Sequence, residues 1–166
     1  MIYSYSGTHG VGKSTSVFEL AHKLKLEHKD KTVAVLMEVA KDSPFAINKK
    51  TTEQSQMWIF TTQFQKELAL MNKFHMVVAD RTVFDSIAYT KVAGYQTLAD
   101  SMFELALHHA PLIYTEIYFK LIKNNDYLID DGVRIVDRPF RQNVENELWE
   151  LYESAKSRVP INIKYI

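Results

Sequence analysis

Gly7-Thr8-His9-Gly10-Val11-Gly12-Lys13-Ser14 is the stretch that decides the fold. It fits the spacing G-x-x-x-x-G-K-[ST]. The short apolar run at 2–6 before it reads as a strand. The segment 14–27 after it repeats Val17, Leu20, Ala21 and Leu24 on one helical face. A glycine-rich turn between strand and helix lets the backbone curl until successive N–H groups point inward, which is the geometry that holds phosphate oxygens. The helix N-terminus adds partial positive charge, and Lys13 adds a full one.

Working outward from this loop, apolar runs at 32–37, 76–79, 116–121 and 161–165 read as further strands. Helical patterns cover 52–73, 82–92, 98–109 and 142–157, with Thr82 as an N-cap, Gly94 as a stop, and Pro111 and Pro160 closing the last two. The 52–73 helix is expected to bury Met57, Phe60, Phe64, Leu68 and Met71. The 32–37 strand, a continuous apolar run, is expected to be covered on both faces. Polar residues 123–138 read as a long loop. Strands alternating with helices predict an α/β fold of three layers, a parallel sheet of about five strands with helices on both faces. Ligands of such sheets bind beyond the carboxyl ends of the strands. Gly7, Glu38 and Asp80 all fall there.

The 166 residues read as one domain, 1–166. Lys plus Arg and Asp plus Glu are both 20, so no bulk attraction to nucleic acid or membrane is expected. With no cysteine, disulfides, thiolate metal sites and cysteine nucleophiles are excluded. No apolar run approaches the ~20 residues of a membrane span. The first residues lack the basic region of a signal peptide. A cytoplasmic protein is the expectation.

The loop chemistry implies ATP and Mg2+. The candidate nucleotide-binding set is Gly7, His9, Gly10, Val11, Gly12, Lys13, Ser14 and Thr15; His9 stands at a variable position of the motif. Lys13 would reach the β- and γ-phosphates, and Ser14 would give Mg2+ a hydroxyl. Asp80, ending the apolar run Val77-Val78-Ala79, is the second candidate metal residue; its plainer alternative is a strand-to-helix turn. Arg81 follows, placed to stabilise charge on a transferring group or the acceptor oxygen. Glu38 could receive or orient the proton of an acceptor hydroxyl.

At these residues the chain resembles the thymidylate kinase and deoxynucleoside kinase group of P-loop kinases. Glu38, in Leu36-Met37-Glu38-Val39, is similar to the strand-end Glu with which deoxynucleoside kinases contact the acceptor hydroxyl. Trp58-Ile59-Phe60-Thr61-Thr62-Gln63 resembles their W-x-F-x-x-Q stretch, which implies that Gln63 pairs with the base and Trp58 walls the pocket. A core aromatic face with a solvated glutamine is the alternative. The segment from Asp80 to Tyr89 is similar to the D-R-Y-x-x-S-x-x-A-Y of thymidylate kinases, with Thr82 for Tyr, and implies that Tyr89 lines the substrate pocket. Asp131-Gly132-Val133-Arg134, with Arg138 and Arg141, resembles the lid of ribosylnicotinamide-kinase-type domains, whose arginines close over ATP. Arg134 and Arg141 are the catalytic candidates of that group and Arg138 a cofactor-binding one.

The resemblance implies γ-phosphate transfer to a nucleoside or nucleotide, with a nucleoside 5′-hydroxyl somewhat favoured over a monophosphate. A kinase acting on a nucleic-acid hydroxyl and a non-catalytic nucleotide-binding protein stay open as alternatives. A regulatory GTPase is disfavoured, because Asn48-Lys49-Lys50-Thr51 lacks the Asp of N-K-x-D and Asp80 is not followed by x-x-Gly. Apolar residues on the helices beginning near Thr52 and Thr82 would suit a homodimer. Lys13→Ala is expected to abolish turnover in a phosphate-transfer assay; full activity in that variant would overturn the mechanism.

Overall fold

The computed structural model describes residues 1–47, 50–123 and 138–166. Five strands, β1 (Ile2–Ser6), β2 (Val33–Leu36), β3 (Met76–Asp80), β4 (Tyr114–Phe119) and β5 (Ile163–Tyr165), form one sheet in the order β2-β3-β1-β4-β5. Every pairing is parallel. The connecting helices are α1 (Lys13–Glu27), α2 (Glu53–Lys73), α3 (Val83–Val92), α4 (Gln96–Ile113) and α5 (Arg138–Arg158). This is the expected three-layer arrangement, and its two outer layers are unequal.

The two-residue period of the strands sorts the core. Met76 and Val78 of β3 and Tyr5 of β1 face α1, where they meet Val17 and Leu24. Val77 and Ala79 face the other way, into a larger core shared with residues of α2 to α5. In that core α3 is packed against α2, α4 and α5. Val83, Phe84, Ile87 and Ala88 are all fully buried there. So α3 offers no apolar face for a dimer, contrary to the expectation. On α2, however, Met57 and Leu68 are 50% and 39% exposed.

That exposure corrects the sequence reading of α2. Its most deeply buried face carries Ser55, Gln56, Ile59, Phe60, Gln63 and Glu67; of the apolar set, Phe60 is buried and Phe64 and Met71 pack partly against the core, while Met57 and Leu68 face out. Polar groups can be buried when partners are waiting for them. Gln56 meets Thr51 and Thr90, and Glu67 meets His109 and Tyr114. The strand β2 is likewise corrected. It is an edge strand, half-buried at Val33, Ala34 and Val35, whereas β3 is the strand buried throughout.

Two helices exceed their expected bounds. In α4 the helix runs through Pro111, because burial of Ala110 and Ile113 holds the final turn in place and Tyr114 N–H closes onto the Ala110 carbonyl. In α5 the start moves back to Arg138, with Pro139 in the first turn, where its missing N–H costs nothing. Most of the expected 123–138 loop lies outside the described residues. Val144, Leu148, Leu151 and Ala155 form the inner face of α5 as read from the sequence. Leu148→Ala, at a fully buried site, is expected to cost about 2–5 kcal/mol in chemical denaturation. Leu112→Ala, at a site 77% exposed, should stay within about 0.5 kcal/mol.

Candidate active site

The loop 7–14 leaves the carboxyl end of β1, the central strand, and enters α1. Gly10 and Gly12 take φ of 80° and 74°, and Gly12 is the N-cap of α1. Gly7 has φ 138°, and a Cβ there would lie 2.5 Å from the Lys120 carbonyl oxygen, so the backbone just past β4 closes off one side of the loop. Lys13, at the start of α1, is buried, and its ammonium donates to the Thr8 carbonyl at 2.7 Å. Burial, with the nearby charge of Arg81, lowers the Lys13 pKa to about 8 against the upward pull of Asp80, Glu38 and Asp85. An anion arriving in this loop would meet a lysine that gains by pairing with it. Ser14 and Thr15 line the cleft over the loop, while Val11 is buried.

At the carboxyl end of β3, Ser14 Oγ donates to Asp80 Oδ2 at 2.5 Å. The other carboxylate oxygen, Oδ1, is buried and has no hydrogen-bond partner among the described residues. A hydroxyl and an acidic oxygen with unused lone pairs form a donor set suited to a hard cation such as Mg2+.

Next in sequence, Arg81 is the one non-glycine with a left-handed φ, 91°, among the described residues. Its amide donates to the Tyr5 carbonyl at 2.8 Å. Its side chain is 11% exposed and is ringed by partners. Nε donates to Glu38 Oε1 at 2.6 Å, and Nη1 to Asp85 Oδ1 at 3.2 Å and the Gly7 carbonyl at 3.4 Å. The guanidinium lies 5.0 Å from the centre of the Tyr89 ring. Burial pushes the Glu38 carboxyl up, but Arg81 and Lys13 outweigh it and hold the group at about 2. Glu38 is therefore an ionised acceptor of hydrogen bonds and a weak proton acceptor.

Asp85 is the residue that sequence reasoning passed over. It is fully buried and accepts from Gly7 N–H, Arg81, Thr82 N–H and Thr82 Oγ1. One carboxylate thus ties the phosphate loop, the strand-end arginine and the start of α3 together. The local signal for it was the Thr82-x-x-Asp85 capping box.

Beside this knot lies a cavity whose walls include Glu38, Arg81, Asp85 and Tyr89 on one side and Ile47, Ile59 and Gln56 on the other. His9 belongs to it too, with Nδ1 3.3 Å from Tyr89 Oη. The structure thus brings together Lys13, Ser14, Asp80, Glu38, Arg81, His9 and Tyr89. Trp58 and Gln63 lie outside the lining. Trp58 is half-buried against the core. Gln63 is buried, and its amide is directed at Glu67 and the Arg81 carbonyl. The glutamine that lines the cavity is Gln56, two helical turns earlier, which the sequence reading did not single out. Arg141 is buried, with Nε donating to the His9 carbonyl at 3.0 Å, so α5 braces the phosphate loop. Arg138 is exposed at the start of α5, and Arg134 lies outside the described residues. No helix among the described residues is long and apolar enough to cross a membrane.

No family model matches the chain, and no curated protein matches it. Solved structures do. A thymidylate kinase from Ehrlichia chaffeensis is similar over 100% of this chain and 91% of its own, with TM-score 0.66 and 15% identity. A deoxyadenosine kinase from M. mycoides is similar over 99% and 90%, with TM-score 0.68 and 18% identity. A thymidylate kinase from Candida albicans is similar over 99% and 83%, with TM-score 0.66 and 16% identity. The chain has the fold of the P-loop nucleoside and nucleotide kinases.

The Glu38–Arg81 pair makes stability depend on acid. The folded pKa of Glu38, about 2, lies below its ordinary 4.5, so its contribution is complete above pH 4.5 and is lost as pH falls towards 2. In wild type this loss is expected to be on the order of 3 kcal/mol across that window. Glu38→Gln should be less stable at neutral pH and should flatten this part of the profile, as read by denaturant unfolding at each pH.

Proposed function

We propose that the chain is an ATP-dependent kinase that transfers the γ-phosphate to the 5′-hydroxyl of a nucleoside. The observation that carries the reading is the acidic acceptor end of the site. Glu38 and Asp85 flank Arg81 where the cavity meets the phosphate loop. Among the described lining residues, the lysine and arginine are Lys41 and Arg81. Arg81 is held by both carboxylates, and Lys41 Nζ is 3.9 Å from Glu38. A monophosphate would have to compete with Glu38 for these cations, whereas a hydroxyl can donate to it. The M. mycoides deoxyadenosine kinase, to which the chain is similar, is solved with dATP and with dCTP bound.

In this reading the loop N–H groups and Lys13 hold the β- and γ-phosphates. Ser14 and Asp80 would hold Mg2+, which when bound offsets phosphate charge. Glu38 orients the acceptor hydroxyl, and its low pKa suits a reaction that needs alignment more than a strong base. The acceptor oxygen forms the new bond to the γ-phosphorus as the bond to the β–γ bridging oxygen breaks, and ADP leaves. The hydroxyl, aligned by its hydrogen bond to Glu38, gives up its proton to solvent as the new bond completes. Arg81 is aimed to balance charge on the group in flight. Gln56, with Ile47, Ile59 and Tyr89 around it, would contact the base. Arg134 and Arg138 would act as lid residues over ATP. A cytoplasmic setting and a homodimer using the exposed Met57 and Leu68 of α2 belong to the same proposal.

The test is ATP consumption with Mg2+ over a panel of nucleosides, nucleoside monophosphates, nicotinamide riboside and oligonucleotides. Stimulation by nucleosides is the expected result, with Glu38→Gln losing most of it. Stimulation by monophosphates alone would move the acceptor from hydroxyl to phosphate. Stimulation by oligonucleotides alone would replace the small-molecule reading with a nucleic-acid kinase.

A further inference from the structure

The buried face of α2 carries a polar chain that ends on the backbone of Arg81. Gln63 Nε2 donates to the Arg81 carbonyl at 3.2 Å and to Glu67 Oε1 at 2.7 Å. Glu67 is fully buried and is clamped in turn, with His109 Nε2 2.6 Å from its Oε2 and Tyr114 Oη 2.9 Å from its Oε1. Tyr114 Oη also accepts from Val83 N–H at 2.9 Å, at the start of α3. The chain therefore runs from α4 and β4, through α2, to both sides of the turn that holds Arg81.

The orientation of the Gln63 amide follows from its surroundings. A backbone carbonyl can only accept, so the atom facing Arg81 must be the nitrogen. The same nitrogen spends its second hydrogen on Glu67, which stops the amide from turning over. Gln63 Oε1 is left without a partner among the described residues, so both hydrogens are committed at the expense of the oxygen. Arg81 needs such a hold. A left-handed φ on a residue with a side chain is strained and persists only where neighbours over-determine it. Tyr5 holds the amide side of the residue, and Gln63 holds the carbonyl side.

We propose that Gln63 is a positioning residue that acts through Arg81, holding its peptide in the left-handed turn that aims the guanidinium at Glu38, Asp85 and the phosphate loop. The functional half of this proposal rests on the kinase reading; the structural half does not. Gln63→Met removes both donors, and Gln63→Glu keeps the shape while replacing the donors with an acceptor.

Two readouts test it. In the 1H–15N spectrum of labelled protein, the Arg81 Nε–Hε signal, assigned with Arg81→Lys, reports the bond to Glu38. It is expected to shift and exchange faster with solvent in either variant while the signals of β1 and β3 stay in place. An unchanged Arg81 signal would overturn the proposal whatever the enzyme does. In turnover, Gln63→Met should lower kcat between about tenfold and a hundredfold with KM for ATP held within about twofold. In an Arg81→Ala background the same substitution should have no further effect; an additive loss would overturn the route through Arg81. If no acceptor supports turnover in wild type, the kinase reading fails and the spectrum alone decides the positioning role. If both variants unfold, the role is structural and the proposal is overturned.

Discussion

Arg81 sets a buried positive charge on a backbone conformation that side chains resist. The left-handed region costs a non-glycine residue about 1–2 kcal/mol, and a buried charge left without a partner costs several more. The neighbourhood answers both. Glu38 and Asp85 supply the compensating charge, Tyr5 and Gln63 hold the peptide, and Tyr89 lies against the guanidinium. These partners come from the ends of β1 and β2 and from α2 and α3, so the arginine records the docking of most elements on one half of the sheet. Strain of this kind is found where a site must be held ready.

Asp85 extends the arrangement to the phosphate loop. By accepting from Gly7 N–H and from Arg81, it couples the curl of the loop to the start of α3. From the other side, Arg141 donates to the His9 carbonyl, and Lys120 donates to the Gly12 carbonyl at 3.2 Å and Ser16 Oγ at 2.8 Å. A loop rich in glycine has high conformational freedom, and holding it open for phosphates means restricting that freedom beforehand. Here the restriction comes from side chains on α3, on α5 and just past β4, each using a hydrogen bond to a loop carbonyl or amide.

The polar stripe of α2 shows why helix faces are harder to read than helix extents. The helix 53–73 was plain from its pattern, and the structure adds Thr52 as its cap. Its buried face was not, because Gln56, Gln63 and Glu67 are residues that normally face water. Gln56 and Glu67 turn inward here since Thr90, His109 and Tyr114 supply partners 34 to 47 residues further along the chain, and Gln63 does so onto Glu67 and the Arg81 carbonyl. Met57 and Leu68, which belong inside by hydropathy, are displaced outward by the same rotation. The edge position of β2 has a similar origin. Its apolar run reads as covered on both faces, but strand order depends on where the crossovers pack.

By itself the sequence determined the phosphate loop, the alternation of strands and helices, and the strand-end placement of Glu38, Asp80 and Arg81. All of these rest on short-range rules: glycine at positive φ, capping residues, and the periods of strand and helix. Only the tertiary structure decided that Asp85 joins the loop to the arginine, that Gln56 and not Gln63 lines the cavity, and that Arg81 is the strained residue. Each of those depends on which groups meet across the core. A polar side chain is buried or exposed according to partners that local sequence does not contain.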